Sequence, residues 1–205
     1  MPIATLALGV LLLLAGCAGT GQVVPLKIQA LPSARPLNQN FQDIKVIVEP
    51  FEEGPEAGRV GVRSHLGGGE TFFTTQGGRT GEMIAQVVAD NLKSMGFQVW
   101  TKKPGATELP ADPDVTITGL VHLVFVRAQS RFFSTRMTGK LKVMIQAANV
   151  SDRSTVHLNL EGGREDAVFW FEPGQVQELV NRMLKENLGR LLGDIRVQNR
   201  ALLTK

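Results

Sequence analysis

Apolar positions recur with a period of two where the folded part of the chain begins. In "DIKVIVEPF", Ile44, Val46 and Val48 alternate with Lys45, Ile47 and Glu49 until Pro50 ends the run, the pattern of a strand with one face more apolar than the other. "RVGVR" at Arg59 to Arg63 reads as a second, shorter strand. The period then lengthens. Met83, Ile84, Val87, Val88, Leu92 and Met95 share one stripe of a helix, with Thr80 suited to its N-cap and Gly96 to a left-handed stop. Phe97 to Trp100 reads as a strand leaving that helix. After "PGATELPADPD", the run "VTITGLVHLVFVR" is apolar at nearly every position, as in a mid-sheet strand covered on both faces. "RMTGKLKVMIQAANV" alternates more cleanly: Met137, Leu141, Val143, Ile145 and Ala147 oppose Lys140, Lys142 and Gln146, so one face is expected in solvent. "SDRS" supplies a turn into the strand carrying Val156, Leu158 and Leu160. A second helix begins after Pro173, with Val176, Leu179, Val180, Met183, Leu184 and Leu188 on its apolar stripe and Gly193 as its stop.

This order predicts an α+β fold: a mostly antiparallel sheet of about five to six strands with two helices packed on one face. Residues 41–195 are expected to form one domain, and the polar segment 196–205 a loose tail. Residues 17–40, with Pro25, Pro32 and Pro36, read as a tether. Within it Leu26, Ile28 and Ala30 alternate with Lys27 and Gln29, as a short edge strand would.

The extreme N-terminus follows a different logic. From Ile3 to Ala15 there is no charge, but the run is shorter than the roughly 20 apolar residues needed to cross a bilayer core. Followed by the small residues Ala15 and Gly16, it has the pattern of a cleaved export signal, although "MPIAT" carries no Lys or Arg. Leu14-Ala15-Gly16-Cys17 resembles the lipobox of bacterial lipoproteins and uses the chain's single cysteine. The resemblance implies that residues 1–16 are removed and that Cys17 is acylated and becomes the first residue. With Ala rather than Asp at position 18, it also implies forwarding to the outer membrane, facing the periplasm. An ordinary signal peptide with a coincidental cysteine is the alternative. With no second cysteine, no intramolecular disulfide can form.

The layout as a whole, with "VIVEPFEE", "RVGVR", a helix ending in "SMGFQV" and then "DVTITGLVHLV", resembles the YajG-like family of bacterial lipoproteins over roughly Val24 to Asp194. Where that family often has Asp-x-Arg after the first strand, this chain has Glu52 and Glu53 with no nearby Arg. The family implies no enzyme activity, and related layouts occur in accessory lipoproteins of envelope transport systems.

Net charge is +3 over 205 residues, too weak to argue for nucleic acid. His65, His122 and His157 are the only histidines and none has the i,i+4 partner of a zinc helix. There is no Gly-x-Ser-x-Gly elbow. "GGGETFFTTQGGRTGE" invites a phosphate-loop reading, but its glycine spacing is wrong and Arg79 stands in place of the lysine, which leaves at most an anion pocket at Gly78 to Thr80 or a plain surface loop. Glu49, Glu52, Glu53 and Glu56 read as a solvated acidic turn rather than a metal or acid/base cluster. No catalytic residue, metal or cofactor is expected.

One constellation remains. From Val115 to Ser151 there is no Asp or Glu, while Arg127, Arg131, Arg136, Lys140 and Lys142 all fall there, with Phe132-Phe133 at the expected hairpin tip. Arg131, Phe132, Phe133 and Arg136 are the candidate contact residues for an anionic, partly greasy partner such as lipid headgroups. Against that stands a structural reading in which the lysines guard a sheet face and the two phenylalanines tuck under the second helix. The expectation is a lipid-anchored periplasmic binding or scaffolding protein, with an accessory subunit of an envelope transporter as the alternative.

Overall fold

The computed structural model describes residues 21–29, 41–102 and 109–204. Cys17 and the 30–40 part of the expected tether lie outside them. In chain order the elements are β1 (Gln22–Leu26), β2 (Lys45–Val48), β3 (Glu52–Glu53), β4 (Gly61–Ser64), β5 (Glu70–Thr75), α1 (Thr80–Ser94), β6 (Gln98–Thr101), β7 (Val115–Arg131), β8 (Ser134–Asn149), β9 (Thr155–Val168), α2 (Pro173–Gly193), β10 (Ile195–Gln198) and β11 (Ala201–Thr204).

Three long strands, β7, β8 and β9, form an antiparallel meander. On its side away from β8, β7 receives three short strands in succession, all parallel to it: β2 at Val115 to Ile117, β3 at Leu120 and Val121, and β4 at Val126 to Gln129. β6 extends the sheet beyond β2, and β5 followed by β1 extends it beyond β4. The expectation of a mostly antiparallel sheet of five to six strands in an α+β fold is thereby corrected. Among the described residues the protein is predominantly β, with eleven strands, nine of them in one mixed sheet, and only two helices. The reason is the length of β7. Seventeen residues give it room for three separate neighbours along one edge, and local periodicity reports which residues are extended but not which strands they meet.

The buried positions of β7 and β8 alternate along each strand, and α1 and α2 cover that face to form a single core. β7 is therefore not buried on both sides as its continuous apolar run suggested: Leu120, Leu123 and Phe125 on the other face are only half-buried. A bulge at His122, between paired Val121 and Leu123, shifts the alternation so that both Val121 and Val124 point into the core. Close contact of α2 with the sheet depends on Gly139 of β8, where a Cβ would stand 2.6 Å from the Met183 sulfur.

Both ends of the described residues are tied into the body. β1 pairs in parallel with β5, and beyond it the Lys27 and Gln29 N–H groups donate to Gln177 and Asn181 side chains on α2. Residues 22–29 are thus part of the fold, not of a tether. At the other end, β10 and β11 form a hairpin around Asn199 and Arg200, whose φ values of 50° and 63° are those of a two-residue type I′ turn. Ala201 and Leu202 are buried, so most of the expected loose tail is structured.

α1 is not capped by Thr80, which is a buried first-turn residue. Arg79 occupies the N-cap position without a side-chain cap bond, and Glu53 supplies the acceptor from outside, taking the Gly81 N–H at 2.7 Å. α2 starts with Pro173 and a reciprocal capping box between Glu172 and Gln175.

Candidate functional site

Strand register brings six strands to one end of the sheet. Across a single row, Gln22 pairs with Thr71, Thr71 with Arg63, Arg63 with Ala128, Ala128 with Met137, and Met137 with Asp166. Three residues further on, β7 ends at Arg131 and turns through Phe132-Phe133 into β8. β9, whose Val168 pairs with Thr135, ends beside that turn and leads into Phe169-Trp170.

All four of these aromatic side chains stand in solvent: Phe132 is 83% exposed, Phe133 79%, Phe169 75% and Trp170 77%. The two phenylalanines of the hairpin are thus not tucked under a helix. They project from a firm base. Phe171, half-buried beneath them, lies 6.3 Å from the buried Phe73 ring and carries the Arg63 guanidinium 4.1 Å above its face. Arg63 Nε also donates to Ser130 Oγ at 3.0 Å, which locks the arginine between β4 and β7. Partial burial lowers the Arg63 pKa from the ordinary guanidinium value, and the group stays charged.

The two predicted arginines part company here. Arg136 faces Glu165 across β8 and β9 with an N–O distance of 2.5 Å, so its charge is already matched. Arg131 makes no ion pair among the described residues and stands at the tip beside Phe132. Two further pairs, Asp166 with Arg182 and Arg164 with Glu186, both at 2.6 Å, strap β9 to α2 behind this end.

The remaining candidates are scattered. Arg79 is paired with Glu82 at 2.5 Å. Glu49 pairs with Lys102, while Glu53 serves as the α1 cap. His65 meets the Thr71 hydroxyl at 2.8 Å, His122 sits at the bulge, and His157 is exposed on β9. Among the described residues no group of three or more His, Cys, Asp or Glu is placed to hold a metal ion. Arg127, Lys140 and Lys142 line the open face of the sheet.

Sequence reasoning missed Phe169 and Trp170. Their signal was present as "FWF" immediately before the Pro173 helix start, an apolar triplet that neither strand nor helix periodicity claims. Only the pairing of β8 with β9 shows that it joins Phe132 and Phe133.

No protein-family model and no curated protein matches this chain. Among solved structures it is similar to protein XCC0632 from Xanthomonas campestris, described as DUF330, with a TM-score of 0.48 at 11% identity over 84% of this chain and 93% of that one. An uncharacterised protein gives a TM-score of 0.41 at 11% identity over 85% and 98% of the two chains. A putative neuraminyllactose-binding hemagglutinin homolog from Helicobacter pylori gives 0.39 at 8% identity over 80% and 93%. At these levels the similarities assign no activity.

Proposed function

We propose that this is a lipoprotein of the bacterial cell envelope, held by acylated Cys17 at the periplasmic face of the outer membrane, that binds or scaffolds an amphipathic partner without catalysing a reaction. The observation that supports a binding role is the end of the sheet where Phe132, Phe133, Phe169 and Trp170 are displayed beside Arg131, which has no ion pair among the described residues. Exposed aromatics gathered on a rigid base are costly in water, and a patch of this kind marks a contact surface. The address rests on the lipobox-like Leu14 to Cys17.

Mass spectrometry of the protein recovered from envelopes tests the reading. The N-terminal peptide should begin at Cys17 with a thioether-linked diacylglycerol; an unacylated soluble protein, or one retaining Met1, overturns it.

The accessory-subunit reading draws on a different feature. β9 is a 14-residue strand that pairs only with β8 among the described residues, leaving an edge that a partner's strand could extend. It predicts a stoichiometric complex in detergent pull-downs, lost when a proline replaces Asn159 in the middle of that edge.

A further inference from the structure

We propose that the aromatic end of the sheet is seated in the headgroup region of the same bilayer that holds Cys17, so that the protein stands on the membrane by two contacts, one covalent and one formed by side chains. This rests on the anchored reading above and specifies the amphipathic partner as the phospholipid surface itself.

Two independent features lead to it. The first is where the apolar surface lies. Eight large hydrophobic residues are exposed among the described residues, and six of them, Val23, Leu66, Phe132, Phe133, Phe169 and Trp170, fall at this one end. Val23 is in the first turn of the pleat of β1, and Leu66 is in the loop between β4 and β5. The exceptions, Leu109 and Val150, lie toward the opposite end, by the start of β7 and the turn after β8.

The second is where the chain enters the fold. β1 begins at Gln22, and the Gly21 N–H donates to the Glu70 carbonyl at 2.7 Å, at the same end as the aromatic tip. Cys17 precedes Gln22 by five positions, so even a fully extended chain separates them by no more than about 17 Å. An acyl group on Cys17 therefore brings the bilayer surface to this end of the sheet and to no other. With Gln22–Leu26 of the expected tether folded into β1, the length of chain left between Cys17 and the fold is short.

The chemistry of the rim suits that position. Trp and Phe on a firm scaffold partition into the headgroup layer, and an arginine beside them reaches phosphate. Arg131 has no ion pair among the described residues, and Arg63 is held just below. Glu70 is the carboxylate at the start of β5 on this rim, and Glu172 is engaged in the α2 capping box. The rim is thus mainly aromatic, with cations at its tip, rather than a strongly basic patch.

The test uses the full acylated chain in vesicles of phosphatidylethanolamine and phosphatidylglycerol. Trp100→Phe leaves Trp170 as the sole indole. Lipids brominated near the headgroup should quench its emission roughly twofold, and lipids brominated deep in the acyl chain much less, as expected for insertion of about 5–10 Å. As a second readout, a photo-crosslinker in place of Phe133 in the otherwise unchanged chain should yield a phospholipid adduct. Vesicle-bound, acylated protein with no quenching and no adduct overturns the seating while leaving the anchored reading intact. Absence of acylation at Cys17 overturns both. A concentration-dependent blue shift of Trp170 in detergent, together with Phe133 adducts to the protein itself, makes the occupant a second copy and also overturns it.

Discussion

The Asn149 side chain holds Leu202 by both of its backbone groups: its amide donates to the Leu202 carbonyl at 2.9 Å and its carbonyl accepts the Leu202 N–H at 2.8 Å. The same amide reaches Ser154 Oγ at 2.8 Å, so the last residue of β8 fastens the C-terminal hairpin to the sheet where both partners are buried. Asn149→Ala leaves two backbone groups without partners in a dry site, which should cost about 3 kcal/mol. In a domain of this size that corresponds to a fall in Tm of roughly 6 to 12 °C. Hydrogen exchange would show residues 195–204 opening first.

Asp114 closes the hairpin from the other side and gives the fold an acid-sensitive point. Its carboxylate accepts Arg200 Nε at 2.6 Å, Arg200 Nη2 at 2.9 Å and the Lys45 N–H at 2.8 Å. The Arg200 hydrogen bond is the main reason its pKa lies below the ordinary aspartate value; burial opposes that shift and the Lys45 N–H adds to it. The folded state therefore binds the proton more weakly than the unfolded chain. The stabilisation is complete above the ordinary aspartate pKa and disappears as pH falls through the lower folded value. Thermal unfolding followed from pH 7 downward should show Asp114→Asn less stable than the parent near neutrality. The two curves should converge in acid, below about pH 4.

How legible these features were depended on how local they are. Both helices could be read from their stripes, because each buries residues three and four apart on its own chain. Of the three meander strands, β8 and β9 could be read from alternation and the "SDRS" turn, while β7 was visible as an unbroken apolar run whose two faces it did not tell apart. β10 and β11 were not legible: their turn is Asn199-Arg200, and without a glycine the two left-handed residues give no hairpin signal. Leu202 looks like part of a polar tail until Asn149, 53 residues away, is placed against it. The tip shows the same division. Phe132 and Phe133 were visible because they lie at a hairpin, whereas Phe169 and Trp170 join them only through the β8–β9 register. Arg136 looked like a free cation because Glu165, its partner, lies in the next strand.

Gly81 provides a test of the α1 entry. A Cβ there would lie 2.1 Å from the Phe51 carbonyl oxygen, and backbone cannot give way as a side-chain end can. Gly81→Ala should destabilise by at least about 3 kcal/mol. It would also displace the N–H that Glu53 accepts. Gly174, in the first turn of α2, has nothing within 4 Å of an added Cβ. Gly174→Ala is therefore expected to be neutral or to stabilise by about 0.5 kcal/mol through helix propensity. Denaturant midpoints for the two variants should move in these different ways; a Gly81→Ala midpoint no lower than that of Gly174→Ala would mean that the Phe51 carbonyl gives way and the close approach carries no cost.

Arg131 and Arg136 separate a binding charge from a structural one. Both project near the aromatic tip, yet Arg136 is already matched by Glu165, and an exposed pair of this kind contributes at most about 1 kcal/mol to stability. Arg136→Gln alone would leave Glu165 unmatched and lower the local charge by one unit, as Arg131→Gln does, so the neutral control removes both partners, Arg136→Gln with Glu165→Gln. Arg131 has no such partner among the described residues and lies closest to Phe132. Near an anionic surface each free arginine contributes about 1 kcal/mol, or roughly fivefold in an equilibrium. At a salt concentration that leaves half of the anchored parent docked, quenching of Trp170 should report a roughly fivefold lower docking equilibrium for Arg131→Gln. The same measurement should place the Arg136→Gln, Glu165→Gln double variant, which leaves the net charge unchanged, within about twofold of the parent. The opposite ranking would mean that the Arg136–Glu165 pair opens on contact, and would move the contact surface from the tip onto the β8–β9 face.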